Sequence, residues 1–350
     1  MTGKLSTEYT VRKADPVADR HRILELWSRI TSGAAPDADK LDRFYLDNPA
    51  GPGTIYLLWH EPSNAAVGVA CVARRDVLVD GKLRKGAVCG DLYIDRAHRS
   101  LGPTLLLNRH ILDELSRDYE LYYAFPNARA APTIAALRRP LEGKLLELVL
   151  PLRVEPYLER WLPGPLARIL AIPGQLALDL WRKPRLAAAA SRHVAVEADD
   201  AFLDRLWQSV AAAGDAALGV RDSTFLQWRL RCRSSGNPQV FGVARADGTP
   251  AAYVAWEQAR DGGIHVLDVL SLDTADFRGA YALFVTAMRQ AGVRSVSARQ
   301  ATGWPDRVRF LRKLGFVPAR EVTVFIGAEP ALQSRLASRP LYVNAIDSDV

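Results

Sequence analysis

Apolar residues recur along this chain with two different periods. Between positions 19 and 30, Ile23, Leu26, Trp27 and Ile30 share one face of an α-helix, so this segment is predicted to be helical. Apolar runs bounded by turn residues predict strands instead. The elements predicted for the first half are a strand at 9–12, two or three meander strands within 54–79, a strand at 87–94, a helix at 105–115, a strand at 120–127 and a short helix through Ile134 and Leu137.

The second half repeats this order of elements. Its hairpin turns at Asp247 and Gly248, and strands and helices then alternate up to a helix that closes on Gly315. The later predicted elements are strands at 264–272, 293–299 and 322–326 and helices at 281–289 and 308–316. Because each half is about as long as one domain, an internal duplication explains the length of the chain.

A helical connector separates the two halves. Its apolar and arginine residues follow helical spacing, and Pro163, Pro165 and Pro173 are expected to keep each helix short. We expect the connector to pack across both halves. In a second interpretation, Trp161 and Trp181 with their neighbouring arginines make a weak contact with a membrane surface or shelter a long acyl chain. The predicted boundaries are 1–150 for the first unit, 151–195 for the connector, 196–330 for the second unit and 331–350 for a tail.

Composition indicates a soluble globular protein with a full core, since 49% of the 350 residues are apolar and 24% are charged. The net charge of +7 favours an anionic partner, but the arginines are scattered, so we expect a phosphate-bearing small molecule rather than nucleic acid. The three cysteines lack metal-ligand spacing, and no metal is expected. The absence of a signal segment or an 18-residue apolar run predicts a cytoplasmic protein without a transmembrane segment.

The loop DRAHRSLGPT at 95–104 carries the most specific chemistry in the sequence. It lies between a predicted strand and a predicted helix, with Arg99 three residues before Gly102. Main-chain amides at a helix start point outward together, and the helix dipole favours negative charge there. A glycine lets the backbone approach a phosphate closely. This loop is therefore predicted to bind a phosphate group.

In context, LYIDRAHRSLGPTLLL resembles the acyl-CoA loop of the GCN5-related N-acetyltransferases (GNAT). Arg99 and Gly102 match the motif, whereas Thr104 replaces its final small residue and Pro103 removes one amide donor. The FPN at 125–127 and the FLRKLGF at 310–316 also resemble this family. The resemblance implies an α/β fold with a mixed sheet, in two tandem copies. It further implies acetyl-CoA or another acyl-CoA as co-substrate.

The resemblance also implies roles for individual residues. A main-chain amide near Tyr93 or Ile94 would hold the acyl carbonyl, and Asp91, expected on the same strand face as Tyr93, would take the amine proton. In the alternative interpretation, Asp91 has no catalytic role and is a carboxylate at the strand edge that bonds to a nearby amide. The family's proton-donating tyrosine is replaced by Ile134 in the first half and Phe310 in the second, which leaves Tyr93, Tyr122 or Tyr123 as substitutes. The predicted donor-binding residues are Ile94, Arg99, Ser100, Leu101, Gly102, Thr104 and Asn127, the last of which could instead close a turn.

The corresponding loop of the second half differs in charge. Asp273 and Asp276 stand where a diphosphate would meet neutral or positive groups, so we expect this half to bind no CoA and to form one wall of the acceptor site. Arg278 and Gly279 support a weaker alternative, in which the second half also binds CoA.

These observations favour an N-acyltransferase that moves an acyl group, expected to be acetyl, from a CoA thioester to a primary amine. The resemblance makes an amino sugar or amino acid a reasonable small-molecule acceptor. One alternative is a long-chain N-acyltransferase that uses acyl carrier protein, with Arg138, Arg139 and Lys144 facing the acidic carrier. The other is an inactive tandem binding module.

Overall fold

The computed structural model describes residues 8–30, 38–127, 130–138, 140–214, 216–233 and 236–348. Its strands are β1 (Tyr9–Lys13), β2 (Thr54–His60), β3 (Ala65–Arg74), β4 (Val77–Val79), β5 (Lys82–Arg84), β6 (Gly86–Ile94), β7 (Leu121–Ala124), β8 (Leu141–Pro151), β9 (His193–Val196), β10 (Ala217–Gly219), β11 (Gln239–Arg245), β12 (Pro250–Gln258), β13 (Ile264–Ser271), β14 (Ser295–Ala301) and β15 (Val317–Ala328). Its α-helices are α1 (Arg20–Ile30), α2 (Leu101–Asp118), α3 (Ala131–Arg138), α4 (Glu155–Leu158), α5 (Gly164–Ala190), α6 (Asp200–Ala213), α7 (Ser223–Arg231), α8 (Thr274–Gln290), α9 (Pro305–Lys313) and α10 (Pro330–Ser338). A π-helical turn (Lys40–Leu46) precedes β2. The predicted α/β class is confirmed.

Most strands form one continuous mixed sheet in the order β1-β2-β3-β6-β7-β15-β8-β14-β13-β12-β11-β9. Each half contributes an antiparallel meander that ends in one parallel pair, β6 with β7 in the first half and β13 with β14 in the second. A small antiparallel sheet joins β10 of the second half to β4 and β5 of the first. The two halves therefore repeat the same order of strands, as the sequence predicts.

The last strand of each half lies beside the other half's strands. β15 pairs with β7, β8 pairs with β14, and β8 and β15 pair with each other along most of their length. The centre of the sheet is consequently built from both halves. The sequence analysis predicts β7, β14 and β15 but not β8, and periodicity carries no information about which neighbour each strand takes.

Helices cover both faces of the sheet. One face carries α1, α6, α7 and α10 over the largest apolar cluster. The other face carries α2 under the first half and α5, α8 and α9 under the second. The interior strand β3 is accordingly buried on both faces, from Val67 to Ala73.

The connector contains one long helix. Helix α5 runs for 27 residues through Pro173 and Pro184, so the expectation that prolines keep the connector helices short is wrong. Both prolines lie on the exposed side, where water can bond the carbonyl groups that a proline leaves without a donor. The opposite side, with Ala167, Ala171 and Leu186, is buried.

The C-terminal segment is part of the core. Leu341, Tyr342, Val343 and Ile346 are buried, and Tyr342 donates from its hydroxyl to the main chain of β13 at Val269, 2.7 Å away. The segment therefore packs against the second half rather than extending from it.

Candidate functional site

A β-bulge interrupts β6 at Asp91. Gly90 pairs with Cys71 of β3 and Tyr93 pairs with Val69, so β6 has one extra residue, and Asp91 adopts a φ of +48°. The parallel pairing of β6 with β7 is confined to the residues before the bulge, from Gly86 to Cys89. Beyond it, β6 continues to Ile94 without β7 beside it. Among the described strands, β6 therefore has no partner on its β7 side from Gly90 to Ile94, and we call this gap in the sheet the cleft.

Helix α2 begins just after this cleft. Its N-cap residue, Ser100, makes no side-chain cap hydrogen bond, and the first turn contains no acidic residue. The Thr104 amide bonds to the Ser100 carbonyl and Pro103 has no N–H. Helical geometry leaves the amides of Leu101 and Gly102 without an intrahelical acceptor. An 18-residue helix thus presents its positive end and open amides, which is an arrangement that suits a phosphate.

The equivalent helix of the second half is closed by carboxylates. Asp273 caps α8 by accepting from the Asp276 amide at 2.8 Å. Asp276 is buried, and its carboxylate accepts from Arg245 at 2.7 Å and lies 2.8 Å from His193 Nε2. A Cβ on Gly279 would lie 2.3 Å from His193 Nδ1, so the helix start is also tightly packed. At the start of α8, carboxylates therefore occupy the position that is left open at the start of α2.

The Arg99 side chain turns back toward β6 rather than along the helix axis. Its Nε and Nη2 donate to the Ile94 carbonyl at 3.1 and 2.8 Å, and its guanidinium lies 5.4 Å from the ring centroid of Tyr93. Arg99, Tyr93 and Ile94 are thereby brought together at the opening of the cleft. The positive charge of Arg99 lies beside the end of β6.

Asp91 accepts two hydrogen bonds that sequence reasoning missed. The donors are Lys40 Nζ at 2.8 Å and the Tyr45 hydroxyl at 2.7 Å, both from the π-helical turn. Tyr45 belongs to the apolar cluster against which Tyr93 packs, so Asp91 and Tyr93 face the same layer. The sequence predicts that Asp91 and Tyr93 share a face through the regular alternation of strand residues, but in the structure their positions depend on the bulge between them. No local signal links Lys40 to a position 51 residues away.

The other predicted donor-binding residues make local contacts. The Thr104 hydroxyl donates to the Ser100 carbonyl at 2.8 Å within its own helix. Asn127 Oδ1 accepts from the Ala130 amide at 3.0 Å, which closes the turn before α3. Leu101 is 70% exposed at the helix start. Thr104 and Asn127 therefore shape the main chain near the cleft.

The tyrosines proposed as proton donors differ in environment. Tyr123 is buried, and burial raises the pKa of its hydroxyl well above the ordinary value. Tyr122 is half-buried against the main chain of Gly327. Tyr93 is half-buried and, unlike Tyr123, lies beside the open end of β6. Of these three, Tyr93 has the position that best suits proton transfer at the cleft.

Of the residues expected to face an acyl carrier protein, Lys144 is the one whose side chain the structure describes. Lys144 forms an ion pair with Glu321 at 3.0 Å. Arg139 and the side chain of Arg138 lie outside the described residues.

A buried ionic network ties the two halves to the C-terminal segment. Arg221 donates to Asp268 at 2.7 Å and also to Asp347, while Arg75 donates to Asp347 at 3.2 Å. Burial alone would raise the pKa of Asp347, but the attraction of Arg221 and Arg75 outweighs it and lowers that pKa. The network lies among fully buried side chains, and each pair joins residues far apart in sequence.

The described part of the chain contains neither a metal-binding cluster nor a membrane-spanning helix. Its residues include no cluster of three or more His, Cys, Asp or Glu side chains able to hold a metal ion. Among these same residues, no helix has both the length and the apolar character needed to cross a bilayer.

Comparison with known proteins identifies the fold. No protein-family model and no curated protein sequence matches this chain. Among solved structures, a probable N-acyltransferase from Enterococcus faecalis has a TM-score of 0.62 at 13% identity, covering 90% of this chain and 71% of that one. A GCN5-related N-acetyltransferase from Anabaena variabilis has a TM-score of 0.61 at 13% identity, covering 95% and 75%. The N-myristoyltransferase of Saccharomyces cerevisiae, solved with bound myristoyl-CoA, has a TM-score of 0.54 at 12% identity, covering 91% and 82%. The chain has the fold of the GCN5-related N-acetyltransferases, as the loop motif predicts.

Proposed function

We propose that the protein is an acyl-CoA-dependent N-acyltransferase whose donor binds in the first half. The observation that carries the proposal is the β-bulge at Asp91, where β6 extends past the last residue of β7 and leads to the uncapped start of α2. Strand separation leaves main-chain groups of β6 without a β7 partner, and the helix start offers amides to a diphosphate. The unpaired edge of β6 would bind the linear arm of the donor, and the start of α2 would bind its diphosphate.

The residues present fit a CoA thioester. The amides of Leu101 and Gly102 would bind the diphosphate, with Arg99 close enough to add its charge after leaving the Ile94 carbonyl. The main chain at Tyr93 and Ile94 would hold the acyl arm. A bound thioester supplies an electrophilic acyl carbon, and acetyl is the acyl group we propose.

Transfer to an amine requires one proton to leave the nitrogen and one to reach the sulfur. As the N–C bond forms and the C–S bond breaks, Asp91 would accept the amine proton directly or through water. The bonds from Lys40 and Tyr45 would hold the carboxylate in place during this transfer. The Tyr93 hydroxyl would donate a proton to the thiolate. Positioning of both substrates would supply much of the rate, as in other two-substrate enzymes.

The acceptor is proposed to be a small primary amine, with an amino sugar or amino acid as the first candidates. The Asp91 carboxylate would attract the ammonium form that such amines have at neutral pH. One ammonium proton would pass to solvent first, and Asp91 would take the second as the N–C bond forms. The closed start of α8 supports a single donor site in the first half, because Asp273 and Asp276 would repel a diphosphate there.

The proposal is tested by Gly102→Asp against Ala275→Asp. These residues occupy the second position of α2 and of α8, and both are followed by a full helix. We expect CoA and acetyl-CoA to raise the melting temperature of the wild type and of Ala275→Asp. Gly102→Asp should lose the shift, because its carboxylate would face the diphosphate.

Binding is measured by calorimetry with CoA, acetyl-CoA and a long-chain acyl-CoA, and turnover by thiol release with a panel of amines. Retention of CoA binding in Gly102→Asp would contradict the proposed site. Absence of binding by all three donors to the wild type would contradict the proposed function.

A further inference from the structure

The second half contains a cavity of about 150 Å³ that is separate from the cleft at β6. It lies between the end of β13, the C-terminal end of α6, the start of α9 and Tyr342 of the C-terminal segment. Most of its lining is apolar, including Val210, Leu218 and Leu272, and its polar groups are those of Ser271, Trp304, Arg307 and Tyr342.

Arg307 is a buried cation in the wall of this cavity. Only 7% of it is exposed, and its Nη2 donates to the Ser271 hydroxyl at 3.2 Å. Its Nε is buried without a hydrogen-bond partner, as is the indole Nε1 of Trp304 beside it. No carboxylate of the described residues lies within ion-pair distance of Arg307, and the adjacent Asp306 pairs with Arg309.

Other buried arginines are compensated differently. Arg221 and Arg75 pair with buried carboxylates. Arg182 donates to the main-chain carbonyls of Leu314 and Pro151. Arg307 instead lies 4.6 Å from the ring centroids of Phe277 and Trp304 and 5.1 Å from that of Tyr342.

Aromatic rings offset only part of the cost of burying this charge. A cation–π contact stabilises a buried charge by less than the free energy that burying the unpaired ion costs. The two unsatisfied donors, one on Arg307 and one on Trp304, both belong to the wall of the same cavity. Both nitrogens are shielded from the cavity in this structure, so an anion there would place a counter-charge beside Arg307 and would reach the two donors once their side chains turn toward it.

We infer that this cavity binds a small monocarboxylate with a short hydrocarbon chain. The carboxylate lies against Arg307 and Trp304, and the chain packs on the apolar wall near Val210 and Leu218. A cavity of this volume holds about six carbon atoms, as engineered apolar cavities of similar size bind benzene. The site is independent of the proposed donor site, and it gives the second half a ligand although its helix α8 is closed to diphosphate.

The test titrates the purified full chain with butyrate and hexanoate, using butyramide and sodium chloride at equal ionic strength as references. We expect the carboxylates to raise the melting temperature and to bind in calorimetry, and butyramide to bind at least 10-fold more weakly. Arg307→Met should abolish the difference between butyrate and butyramide. Arg309→Met, an exposed change on the same helix, should preserve it.

Trp304→Phe keeps the aromatic wall but removes the indole donor, so butyrate affinity should fall several-fold. If Arg307→Met does not fold, Trp304→Phe and the comparison of butyrate with butyramide decide the question alone. Equal effects of butyrate, butyramide and chloride on the wild type would overturn the inference. Unchanged butyrate affinity in Trp304→Phe would overturn the placement of the carboxylate.

The connector carries a second, independent feature. It exposes eight large apolar side chains, which we call the apolar stripe: Trp161, Leu166, Ile169, Leu170, Ile172, Leu176, Leu180 and Trp181. The inner face is fixed by the Arg182 hydrogen bonds to Pro151 and Leu314 and by an ion pair of Asp179 with Arg289 at 2.6 Å. The helix therefore holds the stripe outward.

Four exposed basic residues lie on the same segment of the chain, namely Arg160, Arg168, Lys183 and Arg185, and Arg168 pairs with Glu155 at 3.0 Å. A tryptophan stands near each end, and Arg185 lies 4.4 Å from the Trp181 ring centroid. Apolar side chains bordered by tryptophan and by cations match the boundary of an anionic bilayer. We propose that the stripe rests on an anionic lipid surface.

Vesicle sedimentation tests this surface. The full chain should bind vesicles that contain phosphatidylglycerol, bind pure phosphatidylcholine vesicles more weakly, and dissociate as salt rises. The triple change Leu166→Ser, Ile169→Ser and Leu176→Ser should reduce binding at least 10-fold. A matched triple of other exposed apolar residues, Leu83→Ser, Val194→Ser and Val317→Ser, should have no effect. Equal binding by both triples, or self-association of the wild type that only the connector triple abolishes, would overturn the proposal.

Discussion

The Tyr45 hydroxyl donates a 2.7 Å hydrogen bond to the Asp91 carboxylate, which joins the π-helical turn to the bulge in β6. Lys40 reaches the same carboxylate from the same turn. Asp91 is thus held at the point where β6 leaves β7, in a left-handed conformation that asparagine and aspartate tolerate better than most residues. The bond gives the proposed base a fixed direction.

Asp91→Asn is expected to reduce kcat by about 10²–10⁴-fold, the usual contribution of a general base, with little change in affinity for acetyl-CoA. Asparagine keeps the shape and tolerates the same backbone angle, so folding should be preserved. Turnover by thiol release and donor binding by calorimetry measure the two effects. Tyr45→Phe serves as the comparison and should lower kcat less, because it alters only the direction of Asp91. Wild-type turnover in Asp91→Asn would eliminate the base assignment.

The two helix starts should respond differently to loss of the cap residue. Asp273→Ala removes a side chain that accepts from a main-chain amide, and should destabilise the protein by about 1 kcal/mol. Ser100→Ala removes a hydroxyl that makes no cap hydrogen bond, so the stability should change little. Denaturant unfolding of both variants measures the difference. Equal losses of stability would contradict the open start of α2.

Asp347→Asn should destabilise the protein by about 3–5 kcal/mol, because it leaves Arg75 and Arg221 facing a neutral group in a buried site. The pKa of Asp347 is lowered in the folded state, so the contribution of this carboxylate is present above its ordinary value of 3.8. It is lost as the pH falls through the lowered pKa. Unfolding of wild type and variant at several pH values tests this sign. A difference that grew as the pH fell would contradict it.

The exchange of final strands predicts that neither half folds alone. A fragment ending at residue 192 would leave β7 and β8 without β15 and β14, and the complementary fragment would lack β8. A protease site inserted at the exposed positions 191 and 192 allows the folded chain to be cut. We expect the two pieces to remain together after cleavage and to aggregate when expressed separately. A soluble, cooperatively unfolding piece obtained alone would contradict the prediction.

The short-range features of the candidate site were predictable from the sequence. A glycine near a predicted helix start, an arginine before it and an apolar strand ahead of it determine a helix whose first amides lack intrahelical acceptors. The carboxylates at Asp273 and Asp276 were likewise readable as a closed start for α8, because a cap residue and its amide lie within three positions of each other.

Longer-range relationships were not predictable in the same way. The bonds of Asp91 to Lys40 and Tyr45 join residues 51 and 46 positions apart. The pairs of Asp347 with Arg75 and Arg221 join residues 272 and 126 positions apart. The long connector helix was missed because the rule that proline ends a helix considers only neighbouring residues. A helix tolerates proline where its solvent-facing carbonyl groups can bond to water, and packing decides which side faces solvent.

By itself, the sequence determined most of the strands and helices, the loop proposed to bind phosphate and the repeat of the two halves, because these depend on residues close together in the chain. Only the tertiary structure decided which strands meet at the centre of the sheet, where the bulge opens the cleft, and which buried charge lacks a partner. Those outcomes depend on competition among distant surfaces for burial and hydrogen bonds, and periodicity along one segment does not record that competition.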